Sequence, residues 1–378
     1  SWSWRKAPKF FDIVTWTGDG TTNGGSVPSS GAVFAREITH SLGSAPGFVV
    51  VKSVSSTGNW KACHRKDGVT QQLLALNSAE GNQNTQSLSG GFCAIQHADA
   101  ANKFYLFPYS GSVAEVNASG VTYVAYVFAH NAGGFGDDGE QDVISCGSYT
   151  GNGSATGPEI NLGWEPQWLL IKRVSGGNSY WGINDNMRGI ATGGTDAMLH
   201  PNGTDAEYQQ NVIDLTATGF IPQANQSNTN ASGSTYIYIA IRRPMKTPES
   251  GTEVFHPTFS INPGSPAFVS PFPVDFVIHK DSTGGQPRWS QRLAPTRLQS
   301  SSTAGETTTV EESFSFQNGQ YAPIDYGSPP GAIGSTSHMA WMFARRPGFM
   351  DVVAFTQVGT GSVQTINHNL TVVPELII

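Results

Sequence analysis

One pattern recurs along the whole chain, and it constrains the fold more than any other feature of the sequence. In the first copy an apolar segment, Phe11 to Trp16, runs into Gly18-Asp19-Gly20. His40-Ser41-Leu42-Gly43, Pro46 and the β-rich run Phe48-Val49-Val50-Val51-Lys52 follow, then Gly58-Asn59-Trp60, and Tyr123 to Ala129 closes the copy. The second copy keeps the order: Val143-Ile144, Tyr149-Thr150-Gly151-Asn152-Gly153, Asn161-Leu162-Gly163, Pro166, Trp168 to Lys172, Tyr180-Trp181, and a closing Tyr236 to Pro244. A divergent third copy has Pro273, Phe276 to Lys280, Trp289 and the closing Met339 to Pro347. Lys52 to Lys172 is an interval of 120 and Lys172 to Lys280 one of 108; Trp60 to Trp181 is 121 and Trp181 to Trp289 is 108. A period of roughly 110 exceeds the 20 to 45 residues of a solenoid turn, so each repeat reads as a domain.

The boundaries follow from the landmarks. Residues 1–9 read as the last strand of a preceding module, because Trp4-Arg5-Lys6-Ala7-Pro8 occupies the place of Phe343-Ala344-Arg345-Arg346-Pro347. Modules follow at 10–136, 137–250 and 251–347, and 348–378 reads as the start of a further one. Phe349 to Thr356 restates Phe10 to Thr17, and His368-Asn369-Leu370 with Pro374 to Ile378 restates His40-Ser41-Leu42 with Pro46 to Val50. The expectation is an internal segment of a longer polypeptide, since apolar strands left unpaired at both ends are a liability.

Composition sets the fold class. The 378 residues are 13% charged, 38% hydrophobic and 11% aromatic, with 44 Gly and 22 Pro. Helices have little to grow from, while the aromatic content is too high for a disordered chain. Strands are expected at Phe11 to Thr17, Gly47 to Lys52, Leu73 to Leu76, Phe104 to Phe107 and Thr122 to Ala129 from alternation and β-branched or aromatic enrichment. Short strands separated by turn residues predict an all-β fold of tandem, jelly-roll-like β-sandwich modules. The closing Tyr123 to Ala129 is apolar on both faces, which fits either a strand covered on both sides or one with its second face at a subunit interface. Short junctions, such as Pro244 to Gly251, predict modules stacked with fixed geometry.

The formal net charge of −7, with only 21 Lys plus Arg, argues against nucleic acid as a partner. No run approaches the 18 or so apolar residues of a membrane helix, so no membrane insertion is expected. Cys63, Cys93 and Cys146 lack metal-ligand spacing; buried thiols are expected, with a Cys63–Cys93 bridge as the alternative.

Nucleophile elbows, Walker loops and HExxH helices are absent from the sequence, so neither catalysis nor a cofactor is expected. His40 and His368 recur at matching positions, with Asn161 between them in the series, which points to a role in a turn. Asp137, Asp138, Glu140 and Asp142 read as a solvated linker, with Ca²⁺ binding as the alternative. Asp185, Asp205, Glu207 and Asp214 could supply a glycosidase carboxylate pair, but no spacing rule links them. Arg242-Arg243, echoed by Arg345-Arg346 and Arg5-Lys6, reads as a strand-end cap or as a salt bridge across a subunit boundary. Trp60, Trp181 and Trp289 read as core or inter-sheet residues; the alternative is a sugar-stacking platform at one position per module.

The block Trp2 to Gly20 followed by His40 to Lys52, the Gly147 to Gly153 run of the second copy, and Val363 to Ile378 resemble the repeated domain of bacteriophage virion proteins, especially tail fibres and tail-associated adhesins of marine phages. The third copy departs from the pattern at Phe255 to Phe259. The resemblance implies a non-enzymatic, extracellular virion component. It also implies a homo-oligomer, often a trimer in tail fibres, with other virion proteins as partners; the alternative functions are a carbohydrate-binding β-module array that meets a host surface glycan through loop aromatics, and a glycan depolymerase.

Overall fold

The computed structural model describes residues 2–22, 36–67, 72–81, 93–95, 100–108, 113–190, 192–223, 226–260, 268–303, 305, 312–314, 319–323, 337–355, 359, 361 and 363–378. Thr356, in the restated opening strand, lies outside them. The fold is all-β. Among the described residues the helices are single turns, at Val113–Val116 and Gly251–Glu253.

The first unit contains β1 (Phe11–Thr17), β2 (Arg36–Thr39), β3 (Pro46–Ser53), β4 (Lys61–His64), β5 (Gln72–Ala75), β6 (Cys93–Ala94), β7 (Lys103–Leu106) and β8 (Thr122–Ala129). The second contains β9 (Ile144–Thr150), β10 (Ile160–Asn161), β11 (Pro166–Arg173), β12 (Gly182–Asp185), β13 (Asp196–Met198), β14 (Tyr208–Gln210), β15 (Ile213–Thr216), β16 (Gly219–Pro222) and β17 (Thr235–Arg242). The third contains β18 (Phe255–Phe259), β19 (Phe268–Ser270), β20 (Phe276–Asp281), β21 (Arg288–Gln291), β22 (Ala294–Gln299), β23 (Glu312–Phe314), β24 (Gly319–Pro323) and β25 (His338–Phe343).

Strand order repeats with the sequence. The large sheets run β1-β8-β3-β4-β5, β9-β17-β11-β12 and β18-β25-β20-β21-β22; the small ones run β2-β7-β6, β10-β16-β15 and β19-β24-β23. In each unit the closing strand lies between the opening strand and the apolar strand. It has a neighbour on both sides, which suits its run of β-branched and aromatic residues. The third copy follows the same plan, because Phe255–Phe259 pairs antiparallel with β25 as an opening strand. Pro46 and Pro166 each start the apolar strand at a register shift, Pro46/Phe48 and Pro166/Trp168. Proline has no N–H to give a ladder, so a strand's first residue beside a bulge is where it is tolerated.

The large and small sheets of a unit enclose a common core in a sandwich-like arrangement. Ile38, Phe104 and Leu106 from the small sheet pack with Val49, Val51 and Tyr123 from the large one. In the second unit Ile160, Ile213 and Phe220 pack with Leu169, Ile171 and Tyr236. The outer face of this second large sheet is covered as well. Along β17, Tyr236, Tyr238 and Ala240 enter the unit's own core, whereas Ile237, Ile239 and Ile241 join the core of the first unit. β11 divides in the same way, Leu169 and Ile171 inward, Trp168 and Leu170 toward the first unit. Both faces of this sheet are apolar because successive side chains serve two cores of one chain.

The last residues repeat contacts of the first unit without forming a strand among the described residues. Gly348 N–H donates to Leu370 O as Lys9 N–H does to Leu42 O, both at 2.7 Å. Asp351 accepts from Asn369 N–H at 2.8 Å as Asp12 does from Ser41 N–H at 2.7 Å. Lys9 and Gly348 both sit in the left-handed region, with φ of 61° and 70°.

Candidate functional site

The three repeated tryptophans occupy different environments. Trp181 is fully buried, and its indole N–H donates to Ala75 O of the first unit at 3.2 Å. It packs beside Phe48, with ring centroids 6.2 Å apart. It is a joint between units, a form of the core reading. Trp60 is half-buried and lies over Tyr126 with the rings 19° from parallel. Trp289 is half-buried against Phe276.

The first joint is polar as well as apolar. Lys172 is buried, and its ammonium donates to Ala79 O at 2.9 Å and to Ser179 O. Burial, with Arg173 nearby, lowers its pKa to about 8. His64 is buried on β4, with Nε2 3.0 Å from Tyr238 O of the second unit, while Nδ1 accepts from Lys66 N–H. The carbonyl can only accept, so Nε2 carries the proton and the neutral ring is satisfied at both nitrogens. Desolvation pushes its pKa down to about 3.

The second joint is ionic. Arg345 makes a fork to Glu165, Nη2 to Oε1 at 2.7 Å and Nη1 to Oε2 at 2.9 Å. Arg243 Nη1 reaches Glu165 Oε2 at 3.3 Å and Asp351 Oδ1 at 2.8 Å. Arg345 N–H donates to Asp275, which also pairs with Arg292. Three cations and three carboxylates therefore meet where the second unit, the third unit and the last segment touch. Burial would raise the Asp351 pKa, but Arg243, Arg345 and the Asn369 N–H outweigh it and hold it below the usual range. Of the two readings of the arginine pairs, a salt bridge describes Arg243 and Arg345, and it lies within one chain. The pairs are also offset: Ala129, Arg242 and Ala344 N–H groups donate to Phe10, Val143 and Val254 O, so the residues that follow, His130, Arg243 and Arg345, are equivalent. The Arg-Arg-Pro motif alone pairs Arg243 with Arg346 instead.

The turn positions act alike. His40 Nδ1, Asn161 Oδ1 and His368 Nδ1 each accept from the backbone N–H two residues on, at 3.3, 2.8 and 3.2 Å. An imidazole nitrogen and an amide oxygen reach the same N–H, which is why His and Asn interchange there.

An aromatic stack that the sequence did not single out lies at the rim of the second unit. Tyr180, 41% exposed, stacks on His200 at 4.8 Å, and His200 meets Tyr208 at 5.2 Å. Ile183 and Leu199 exchange backbone bonds, so the next partner of Trp181 in that register is Pro201, which has no N–H. His200 Nδ1–H donates to Trp181 O instead, at 2.8 Å, and Asn202 Oδ1 accepts from Trp181 N–H at 3.0 Å. Tyr208 is held by Asn228 Nδ2, which donates to its hydroxyl at 2.8 Å, and by its own bond to Met198 Sδ. His200-Pro201 was the available sequence signal.

The remaining candidates are tied into the structure. Asp137 accepts from Thr247, Asp138 from Glu140 N–H and Asp142 from Gly133 N–H. Among the described residues no group of three or more His, Cys, Asp or Glu is placed to hold a metal ion. Asp185 and Glu207 both pair with the Arg188 guanidinium. Asp214 is turned to Gln223 and Gly193 N–H. Asp205 is exposed and meets neither carboxylate in a described bond. The three cysteines are buried thiols with no disulfide among them. No described helix is long and apolar enough to cross a membrane.

Fold and joints together define an all-β protein of serially packed sheet pairs. The chain belongs to the family described as a domain of unknown function, DUF7483, whose model matches residues 1–244. That match ends just past β17, so it includes both units that share the first joint. No curated protein and no solved structure matches the chain.

Proposed function

We propose that the chain is a non-enzymatic structural protein of a bacteriophage virion, a tail fibre or tail-associated adhesin, working outside the cell as a homo-oligomer that contributes to assembly and host attachment. What supports the reading most is the joint between the first two units. Trp181, Lys172 and His64 close it with buried side chains, so the units cannot pivot without exposing apolar surface and unpairing buried polar groups. A load-transmitting spacer needs such stiffness. The Glu165–Arg345 fork extends it to the third unit. Self-association into a trimer and contact with other virion proteins belong to the same proposal.

Antibodies against the chain, applied to phage particles from a lysate carrying its gene, should decorate the tail in negative-stain electron microscopy. Particles left bare while the chain is found only in the cell fraction would overturn the reading.

A further inference from the structure

We infer that the Tyr180–His200–Tyr208 stack is a binding site for a neutral, hexose-containing glycan. The inference deepens the attachment part of the proposed function and rests on it.

Tyr180 is not needed to fill the core, because Trp181, the next residue, does that and is fully buried. Tyr180 turns the other way and leaves an outer ring face in solvent. That face is held still. His200 behind it is fixed by Trp181 O, and Tyr208 behind His200 is fixed by Asn228 and Met198. A ligand that stacks on a ring already immobilised loses less to ordering than one that must freeze a mobile side chain. Flat apolar faces are what the C–H side of a pyranose offers to an aromatic ring.

Polar groups beside the stack narrow the ligand class. Since Nδ1 of His200 carries the proton, Nε2 presents a lone pair, and no described residue is bonded to it. An acceptor left over beside an exposed ring matches a hydroxyl, which can donate to it. A carboxylate or sulfate has no proton to give Nε2, and the exposed Asp205 on the same stretch disfavours anions. Neutral sugar hydroxyls fit all these groups.

The test is affinity electrophoresis of the full chain through gels containing a glucan, a mannan, a galactan or a sulfated galactan. Retardation by at least one neutral polysaccharide is expected, with Tyr180→Ala weakening it about five- to tenfold and Tyr180→Phe retaining most of it. Because Tyr180 is exposed, both variants should unfold at the wild-type temperature, which circular dichroism checks. No retardation by any neutral polysaccharide, equal retardation of wild type and Tyr180→Ala, or retardation by the sulfated galactan alone would overturn the inference. A failure here with labelled tails leaves the virion reading standing, whereas bare tails with intact retardation do the reverse.

Discussion

Arg345 and Glu165 lie 180 positions apart in the sequence and form a buried two-bond fork at 2.7 and 2.9 Å. Charges this deep are tolerated only when matched, and here each cation finds a carboxylate from another part of the chain. Glu165→Gln keeps the shape but leaves Arg345 and Arg243 with less than their complement. The expected cost is about 3–5 kcal/mol, read by denaturant unfolding of the full chain. Glu165→Gln with wild-type stability would mean the fork does not hold the joint.

His64 gives the fold a defined acid sensitivity. Its pKa falls from 6.5 to about 3 on folding, so between those values the unfolded chain binds a proton that the folded chain refuses. Its stabilising effect is complete above pH 6.5 and is lost as pH falls toward 3. Near pH 5 the loss is about 1.4 kcal/mol per pH unit for this group. His130, lowered to about 4 mainly by burial, adds to it. Unfolding measured from pH 7 to pH 4.5 should be less steep in pH for His64→Gln than for wild type; equal slopes would exclude His64 as a source.

Trp181 and Trp60 match in the repeat but differ in burial. Trp181→Ala should cost about 3–5 kcal/mol, because a cavity opens between two units and Ala75 O loses its donor. Trp60→Ala, on a half-buried ring, should cost less than half as much. Denaturant midpoints of the two variants compare them directly, and equal losses would contradict the assignment of Trp181 to the joint.

At the turn, Asn161→His should leave stability within about 0.5 kcal/mol of wild type, since Nδ1 can take over the Gly163 N–H. Asn161→Ala removes that acceptor and should cost about 1 kcal/mol. Thermal unfolding of both variants checks the pair, and a histidine as damaging as alanine would refute the interchange.

Much of this was legible in the sequence. The alternation and aromatic content of Phe11 to Thr17 and Thr122 to Ala129 marked both strands at their observed ends. The prolines before Phe48 and Trp168 marked where the apolar strands begin. What covers the second face of β17 was not legible, because Ile237, Ile239 and Ile241 are as apolar as the tyrosines between them and the period-2 signal vanishes. Partners of Arg345 were hidden for another reason: Glu165 and Asp351 are ordinary acidic residues until the fold brings them together. The Tyr180 stack was not legible because Tyr180 and Trp181 are adjacent aromatics, and only the fold decides that Trp181 is buried and Tyr180 faces outward. It depends besides on Pro201 lacking an N–H, a detail that matters only once Ile183 is paired with Leu199.

The central claim is that the first two units form one stiff body through a shared core. Hydrogen exchange of the full chain across a denaturant series, read by mass spectrometry, tests it most directly. Peptides from β3 (Pro46–Ser53) and β17 (Thr235–Arg242) should lose protection at one common midpoint, since Val49 and Ile239 belong to the same core. Two separate midpoints would mean that the units open independently, and the account of a rigid spacer would be contradicted.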